Sequence, residues 1–315
     1  MFRFVMLDHT VPVKIREAHL KEQMEVFLRS EALAEIFDLL GTDRDRIGKT
    51  YNGRKGKNGK VVETLVLKPD RKLAPVRKKL YPLLAELGFF HINQPLSGKH
   101  SRILVLGGAL NACFVRTRCA SEWKDPGTLS IDGLSCYRPV HPKERSVSAF
   151  SSFSETEFGV LSDAFCKTFG LPENDYQDDF RGDRNLNGIS CIRRFPAESG
   201  SCLYRVYAAP SCEPELRRAD TKDTLKFYVE NGGVSPGDTL LAVTHNPYCN
   251  RQFLQLAYYI IKNDIPVDLD VVGCTPDGQV ETEKTYDPFR QLQVLIGILD
   301  WIERFHSRGS MDSGD

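Results

Sequence analysis

Apolar positions recur along the whole chain, and their spacing predicts helices first and strand–helix alternation later. Residues 3–6 form a short apolar run that fits an edge strand. Across 14–40, Ile15, Leu20, Met24, Phe27 and Leu28 fall near one helical face, followed by Leu33, Ile36, Phe37 and Leu40. That spacing predicts one helix, with Gly41 as its stop. Residues 51–69, YNGRKGKNGKVVETLVLKP, read as a glycine-rich basic turn leading into a strand through Val62, Leu65 and Leu67. Residues 73–88 are amphipathic, with Leu73, Val76, Leu80, Leu83, Leu84 and Leu87 inward. Pro75 suits a first turn, and Pro82 predicts a kink.

From residue 100 the rhythm changes. Short apolar runs at 102–106, 239–243 and 267–272 are bounded by turns and separated by helical patterns. Strands of that kind are buried under helices on both faces. The expected fold is α/β, a doubly wound and mostly parallel sheet, with an N-terminal helical and basic-hairpin extension over 1–99. The sheet domain then spans 100–308, and 309–315 is a frayed polar tail. Residues 172–219 interrupt the alternation and are expected as an insertion over the sheet edge or the ligand mouth. In SETEFGVLSDAFCKTFGLP, Ser154 is the expected N-cap, Glu157 completes a capping box and Gly170 ends the helix. DTLKFYVENGG is another helix with a glycine stop, and 286–305 is the last.

Charge narrows the functional classes. The chain has 42 Lys plus Arg against 42 Asp plus Glu, so its net charge is zero, which weighs against a nucleic-acid coat protein. Locally, residues 42–80 hold 13 basic and 4 acidic side chains. That excess fits a solvated surface, a positive wall or lid facing an anionic ligand, or, less well because only Tyr51 and Tyr81 interleave the charges, a nucleic-acid patch. No apolar run approaches the ~18 residues of a membrane span, and the N-terminus turns charged too early for a secretory signal; a cytoplasmic setting is expected. The nine cysteines show no metal or redox spacing and read as reduced thiols, with Cys249 the candidate nucleophile if one is catalytic.

Ligands of such sheets bind beyond the carboxyl ends of the strands. ILVLGG places Gly107 and Gly108 there, where the backbone can approach an anion and the N–H groups of the next helix can help hold it. Arg116 and Arg118 follow, two apart and on different faces, so one is expected in the cleft, with Arg116 favoured. Glu155 and Glu157 open a later helix; one caps it and the other can orient a ribose, a water or an arginine. The richest stretch is LLAVTHNPYCNRQF. Thr244, His245 and Asn246 end a strand, Pro247 forces an extended turn, and Arg251 enters the next helix. This set suits phosphate binding and acid–base work.

The order of these pieces resembles the DUF218 family, the Rossmann-like domain of the SanA, YdcF and ElyC group. The matching residues are Leu106, Gly107 and Gly108, then Arg116, then Glu155 or Glu157. Thr221, Asp223 and Thr224 follow in ADTKDTLKF, then Thr244 and Arg251 in AVTHNPYCNRQF. The likeness covers 102–275. Tyr248 stands where the family has a histidine, and IDGLSCYRPVHP replaces its second glycine turn, which brings Tyr137 and Arg138 towards the cleft. The resemblance implies a nucleotide or S-adenosylmethionine-like ligand.

The residues support a hydrolase or transferase acting on a phosphorylated or nucleotide-like substrate. His245 and Glu157 would be catalytic. Gly107, Gly108, Arg116, Arg138, Glu155, Asp223, Thr244, Asn246 and Arg251 would bind the anionic small molecule. No transition-metal pattern is present, while Mg²⁺ carried by the substrate needs only one or two carboxylates. The alternatives are a binding or sensor module without turnover, and an interaction protein using the basic 42–80 segment.

Overall fold

A computed structural model describes residues 1–53, 70–91, 94–182, 185–198, 200–275 and 281–308, without the side chains of Arg71 and Arg308. The glycine-rich turn and strand expected within 54–69 and the tail 309–315 lie outside the described residues. Among the described residues four α-helices precede the sheet: α1 (Val13–Leu28), α2 (Glu31–Leu40), α3 (Arg44–Tyr51) and α4 (Arg77–Glu86). There follow β1 (Arg102–Leu106), α5 (Leu110–Glu122), β2 (Ser130–Ser135), α6 (Pro142–Val147) and α7 (Glu157–Phe169). Next come β3 (Gln177–Arg181), β4 (Ser190–Arg194), β5 (Leu203–Ala208) and α8 (Thr221–Glu230). The chain closes with β6 (Thr239–His245), α9 (Cys249–Lys262), β7 (Asp268–Cys274) and α10 (Pro288–Arg308).

The sheet order is β3-β4-β5-β2-β1-β6-β7. β5, β2, β1, β6 and β7 are mutually parallel, and β3 and β4 add an antiparallel hairpin at one edge. The three runs expected as neighbouring buried strands therefore stand side by side as β1, β6 and β7. The fold is an α/β sheet with helices on both faces and N-terminal helices preceding it. Alternation along each strand sorts the core. Leu104, Leu106, Ala242 and Val271 face a cluster formed with α1, α2, α4 and α8–α10. Ile103, Val105, Leu241 and Val272 face a second cluster with α5 and α7.

Several local expectations are corrected. The helix read across 14–40 is two helices broken at Arg29–Ser30. Ser30 is extended, and its hydroxyl donates to the Phe27 carbonyl at 2.8 Å, which ends α1. Leu20, Met24 and Phe27 are buried, whereas Ile15 is 46% exposed. Gly41 ends α2 at φ 60°, in the left-handed conformation. Residues 3–6 make a single antiparallel bridge, Met6 to Leu269, rather than a strand. α7 is capped by Thr156, whose hydroxyl accepts from the Gly159 N–H, not by Ser154. Residues 172–219 supply more than an elaboration: they contain β5, a member of the parallel set.

β5 and β2 escape an apolar reading because a charge pair runs between them. Asp132, fully buried in β2, accepts from Arg205 of β5 at 2.6 and 3.0 Å, from the Ser130 hydroxyl at 2.6 Å and from the Tyr228 hydroxyl at 2.8 Å. Four donors on one carboxylate offset much of its desolvation. Asp132→Ala strands the Arg205 guanidinium and is expected to cost about 3–5 kcal/mol. Tyr228→Phe, which removes one donor, should cost about 1 kcal/mol. Urea unfolding of both variants checks the order; equal, negligible losses would show that the network contributes nothing.

Candidate functional site

The chain leaves β1 towards α5 on one face and leaves β6 towards α9 on the other. β1 and β6 are adjacent and parallel and their chains depart to opposite faces, which makes the carboxyl edge between them, here termed the crevice, the place where ligands of open α/β sheets bind. Gly107 and Gly108 line its β1 side. The Gly107 N–H extends the β1–β2 ladder by donating to the Leu134 carbonyl at 2.7 Å.

Arg116 lies in the second turn of α5, and its side chain folds back towards the helix start, as helical side chains do. Its Nη1 donates to the carbonyls of Leu106 at 2.6 Å and Gly107 at 2.5 Å. Its Nε donates to Nδ1 of His245 at 3.0 Å. An acceptor Nδ1 means a neutral imidazole whose hydrogen sits on Nε2. Burial pushes the His245 pKa well below its ordinary 6.5, and the positive charges of Arg116 and Arg290 push the same way. Tyr248 stands edge-on to the imidazole, ring centroids 5.5 Å apart. Arg118 points outward and is exposed, as the spacing of the two arginines predicts.

The other half is built on Arg138. Its Nε donates to Oε2 of Glu157 at 2.9 Å and its Nη1 to Oε1 of Glu144 at 2.5 Å. Its Nη2 donates to the Gly108 carbonyl at 3.0 Å and to Oε2 of Glu144 at 3.2 Å. Burial opposes the charge on Arg138, but the two carboxylates outweigh it and raise its pKa. Burial likewise pushes Glu144 up, while the bonds from Arg138 and from the N–H groups of Leu110 and His141 prevail and lower it. Glu144 went unread in the sequence. The signal was His141-Pro-Lys-Glu144, a capping box with proline at the first helical position. Glu144 also corrects the reading of α5: the Leu110 N–H, expected to face a bound anion, donates to Glu144 at 2.9 Å.

Glu157 starts α7 and is buried. Its Oε1 makes no hydrogen bond among the described residues and lies against Gly107. A Cβ at Gly107 would collide with that oxygen and lie 2.9 Å from the Leu134 carbonyl oxygen. At Gly108 a Cβ would meet Ala112 and Arg116 at 3.2 Å. Neither glycine has positive φ, so close approach, rather than backbone conformation, explains them.

The remaining expected residues scatter. Thr244 is fully buried at the β6 end, and its hydroxyl oxygen has no partner among the described residues. Asn246, followed by a cis bond to Pro247 within a tight turn, donates to the Phe90 carbonyl at 3.1 Å and so ties the N-terminal region to the sheet. Arg251 lies in the α9–α10 seam, where a Cβ at Gly297 would be 2.6 Å from its Nε. Glu155 is exposed and uses its backbone carbonyl to accept from Val140 at 2.8 Å. Asp223 closes the capping box of α8 and pairs with Arg217 at 2.6 Å. Cys249 is buried, with its thiol pushed up to about 12 by desolvation. Gly107, Gly108, Arg116, Arg138, Glu157 and His245 therefore gather at the β1 and β6 carboxyl ends, while Thr244 is fully buried and Glu155, Asn246, Asp223 and Arg251 serve other contacts. Among the described residues no group of three or more His, Cys, Asp or Glu side chains gathers as a metal site, and no helix is long and apolar enough to cross a membrane.

No protein-family model matches the chain, and no solved structure matches it. It is similar to uncharacterised proteins of Mycobacterium tuberculosis (strain ATCC 25618 / H37Rv) and Mycobacterium bovis (strain ATCC BAA-935 / AF2122/97). Each is 26% identical over 185 residues, covering 57% of this chain and 51% of the relative. The chain thus spans about half the length of the curated relatives it matches.

Gly107→Ala should displace Glu157 and cost about 1–3 kcal/mol, whereas Gly108→Ala should be milder. Thermal melting of the pair checks this; equal losses would remove Glu157 as the reason for glycine at 107. The depressed His245 pKa also sets a pH dependence. The unfolded chain takes up a proton near the ordinary value of 6.5 while the folded chain does not, so stability is lost as pH falls below it. His245→Gln should flatten that loss, leaving the part due to His100, which burial also pushes down. Melting midpoints between about pH 8 and 5 test it, and parallel curves would count against a neutral His245.

Proposed function

We propose that the crevice binds a phosphorylated or nucleotide-like small molecule, and that the protein is a hydrolase or transferase acting on it. The observation that carries this reading is a set of unspent atoms around Gly107. Among the described residues, Arg116 Nη2, His245 Nε2 and Glu157 Oε1 have no hydrogen-bond partner, although their companion atoms are fixed by Leu106, Gly107 and Arg138. Two are donors and one is an acceptor. The donors suit phosphoryl oxygens, and the carboxylate oxygen suits the proton of an attacking water or hydroxyl.

In this mechanism Arg116 and His245 hold the anionic group. Glu157 Oε1 takes the proton as the nucleophilic oxygen bonds to phosphorus and the ester oxygen departs with the bonding electrons. His245 acts as a neutral hydrogen-bond donor, because giving up its Nε2 proton would leave an imidazolate. Arg138 keeps Glu157 in place without touching the substrate. A Mg²⁺ carried by the substrate would neutralise phosphoryl charge; Glu157 Oε1 would hold it only in place of its role as proton acceptor.

A specific observation favours a second reading, a nucleotide or S-adenosylmethionine-like ligand bound without turnover. Glu144 already occupies the start of α5, and Arg138 is neutralised by two carboxylates, so the crevice holds little net positive charge. A panel of phosphate monoesters and nucleotides, assayed for product by chromatography and for binding by calorimetry, separates the two. On a substrate, Glu157→Gln should cut kcat about 10²-fold or more with little change in affinity. Arg116→Lys should weaken binding about ten- to a hundredfold. Binding without turnover in the parent would select the second reading, and absence of both would end the first two.

A further inference from the structure

Arg116 and Arg118 part company on α5, and the outward residue has a setting of its own. Arg118 and Lys167 line a cavity of about 450 Å³ together with Phe114, Ser121, Phe150 and Thr168. The volume falls in the range of small-molecule sites. Phe114, Arg118 and Ser121 occupy one face of α5 at spacings of four and three, and Lys167 and Thr168 come from the last turn of α7. This face is turned away from the crevice that Arg116 enters.

The cavity is held in shape by its own contacts. Phe114 and Phe150 stack with centroids 4.8 Å apart and planes 6° from parallel. Arg118 lies 5.2 Å from the Phe150 centroid and Lys167 5.4 Å from that of Phe114. Lys167 Nζ is anchored by the Ser151 carbonyl at 2.9 Å, which leaves two of its three N–H bonds. Among the described residues neither cation pairs with a carboxylate, and the cavity lining holds no acid. Arg102, Arg138, Arg193 and Arg205 pair with acids, whereas Arg118 and Lys167 are exposed cations without one. Two cations without an acid partner, set beside apolar rings, form a donor set open to an anion.

We infer that the α5–α7 face is a second ligand site, which takes a phosphate monoester with an apolar body. The phosphate would bridge Arg118 and Lys167, and the body would lie against the half-buried Phe150. The site is independent of the reading given for the crevice, since no residue is shared.

Phenyl phosphate, inorganic phosphate and phenol are the probes, titrated calorimetrically into the full chain. Phenyl phosphate should bind saturably and more tightly than inorganic phosphate, and phenol should not bind detectably. Arg118→Gln and Lys167→Gln, both at exposed positions, should each weaken phenyl phosphate about tenfold or more. Phe150→Ala should bring phenyl phosphate down to the affinity of inorganic phosphate. Any phenyl phosphate bound in the crevice is the component sensitive to Arg116→Lys, whereas the component removed by Arg118→Gln and Lys167→Gln should persist in Arg116→Lys, which separates the two sites. Circular dichroism and melting confirm that the variants stay folded. No saturable binding in the parent would overturn the proposal. So would binding unaffected by Arg118→Gln and Lys167→Gln, or lost instead in Arg116→Lys. In that case the rings and cations serve only to pack residues 148–151 on α5.

Discussion

The arrangement around Gly107 depends on the guanidinium of Arg138. It is held by Glu157 at the start of α7, Glu144 on α6 and the carbonyl of Gly108 beyond β1. Through Glu144 it also reaches the first N–H of α5. Three chain segments thus converge on one planar cation. Burying three charges is costly, and the geometry offsets the cost only while all the bonds are made, so loss of one partner leaves an uncompensated charge. The same rigidity aims Glu157 Oε1 at Gly107 and forbids a side chain there.

Opposite this clamp stands a softer pair. Arg116 and His245 come from the two strands that define the crevice, one through its following helix and the other directly. Their hydrogen bond needs a neutral imidazole, and burial, aided by the positive charges of Arg116 and Arg290, favours that state. The crevice therefore divides its labour: a locked salt-bridge cluster on the β2 side, and two donors with spare capacity on the β6 side.

Much of this was legible in the sequence, and the failures share a cause. Short apolar runs gave β1, β6 and β7, glycines marked the ends of α2 and α7, and the two-residue spacing separated Arg116 from Arg118. Periodicity could not find β2 or β5, because Asp132 and Arg205 interrupt their apolar pattern. Each makes the other buriable, yet they lie 73 residues apart. Glu144 was hidden for the same reason, in a polar segment whose partner is a distant helix start. Arg251 and Asp223 were placed by local reasoning on the right helices, but the packing of α10 and the needs of the α8 cap decide where their side chains go.

The register of the central strands carries a consequence for the order in which the molecule can assemble. Arg102 of β1 pairs with Leu240 of β6, so the middle of the sheet joins segments 138 residues apart. During synthesis α5 and β2 are available long before β6, and until β6 emerges one edge of β1 offers unpaired backbone groups. Closing so long a loop is slow compared with helix formation. The nascent chain therefore passes through a stage in which Arg116 has been made but His245 has not. Its guanidinium then has only the carbonyls of Leu106 and Gly107 to hold it, and the crevice comes into being late, with the arrival of a single strand.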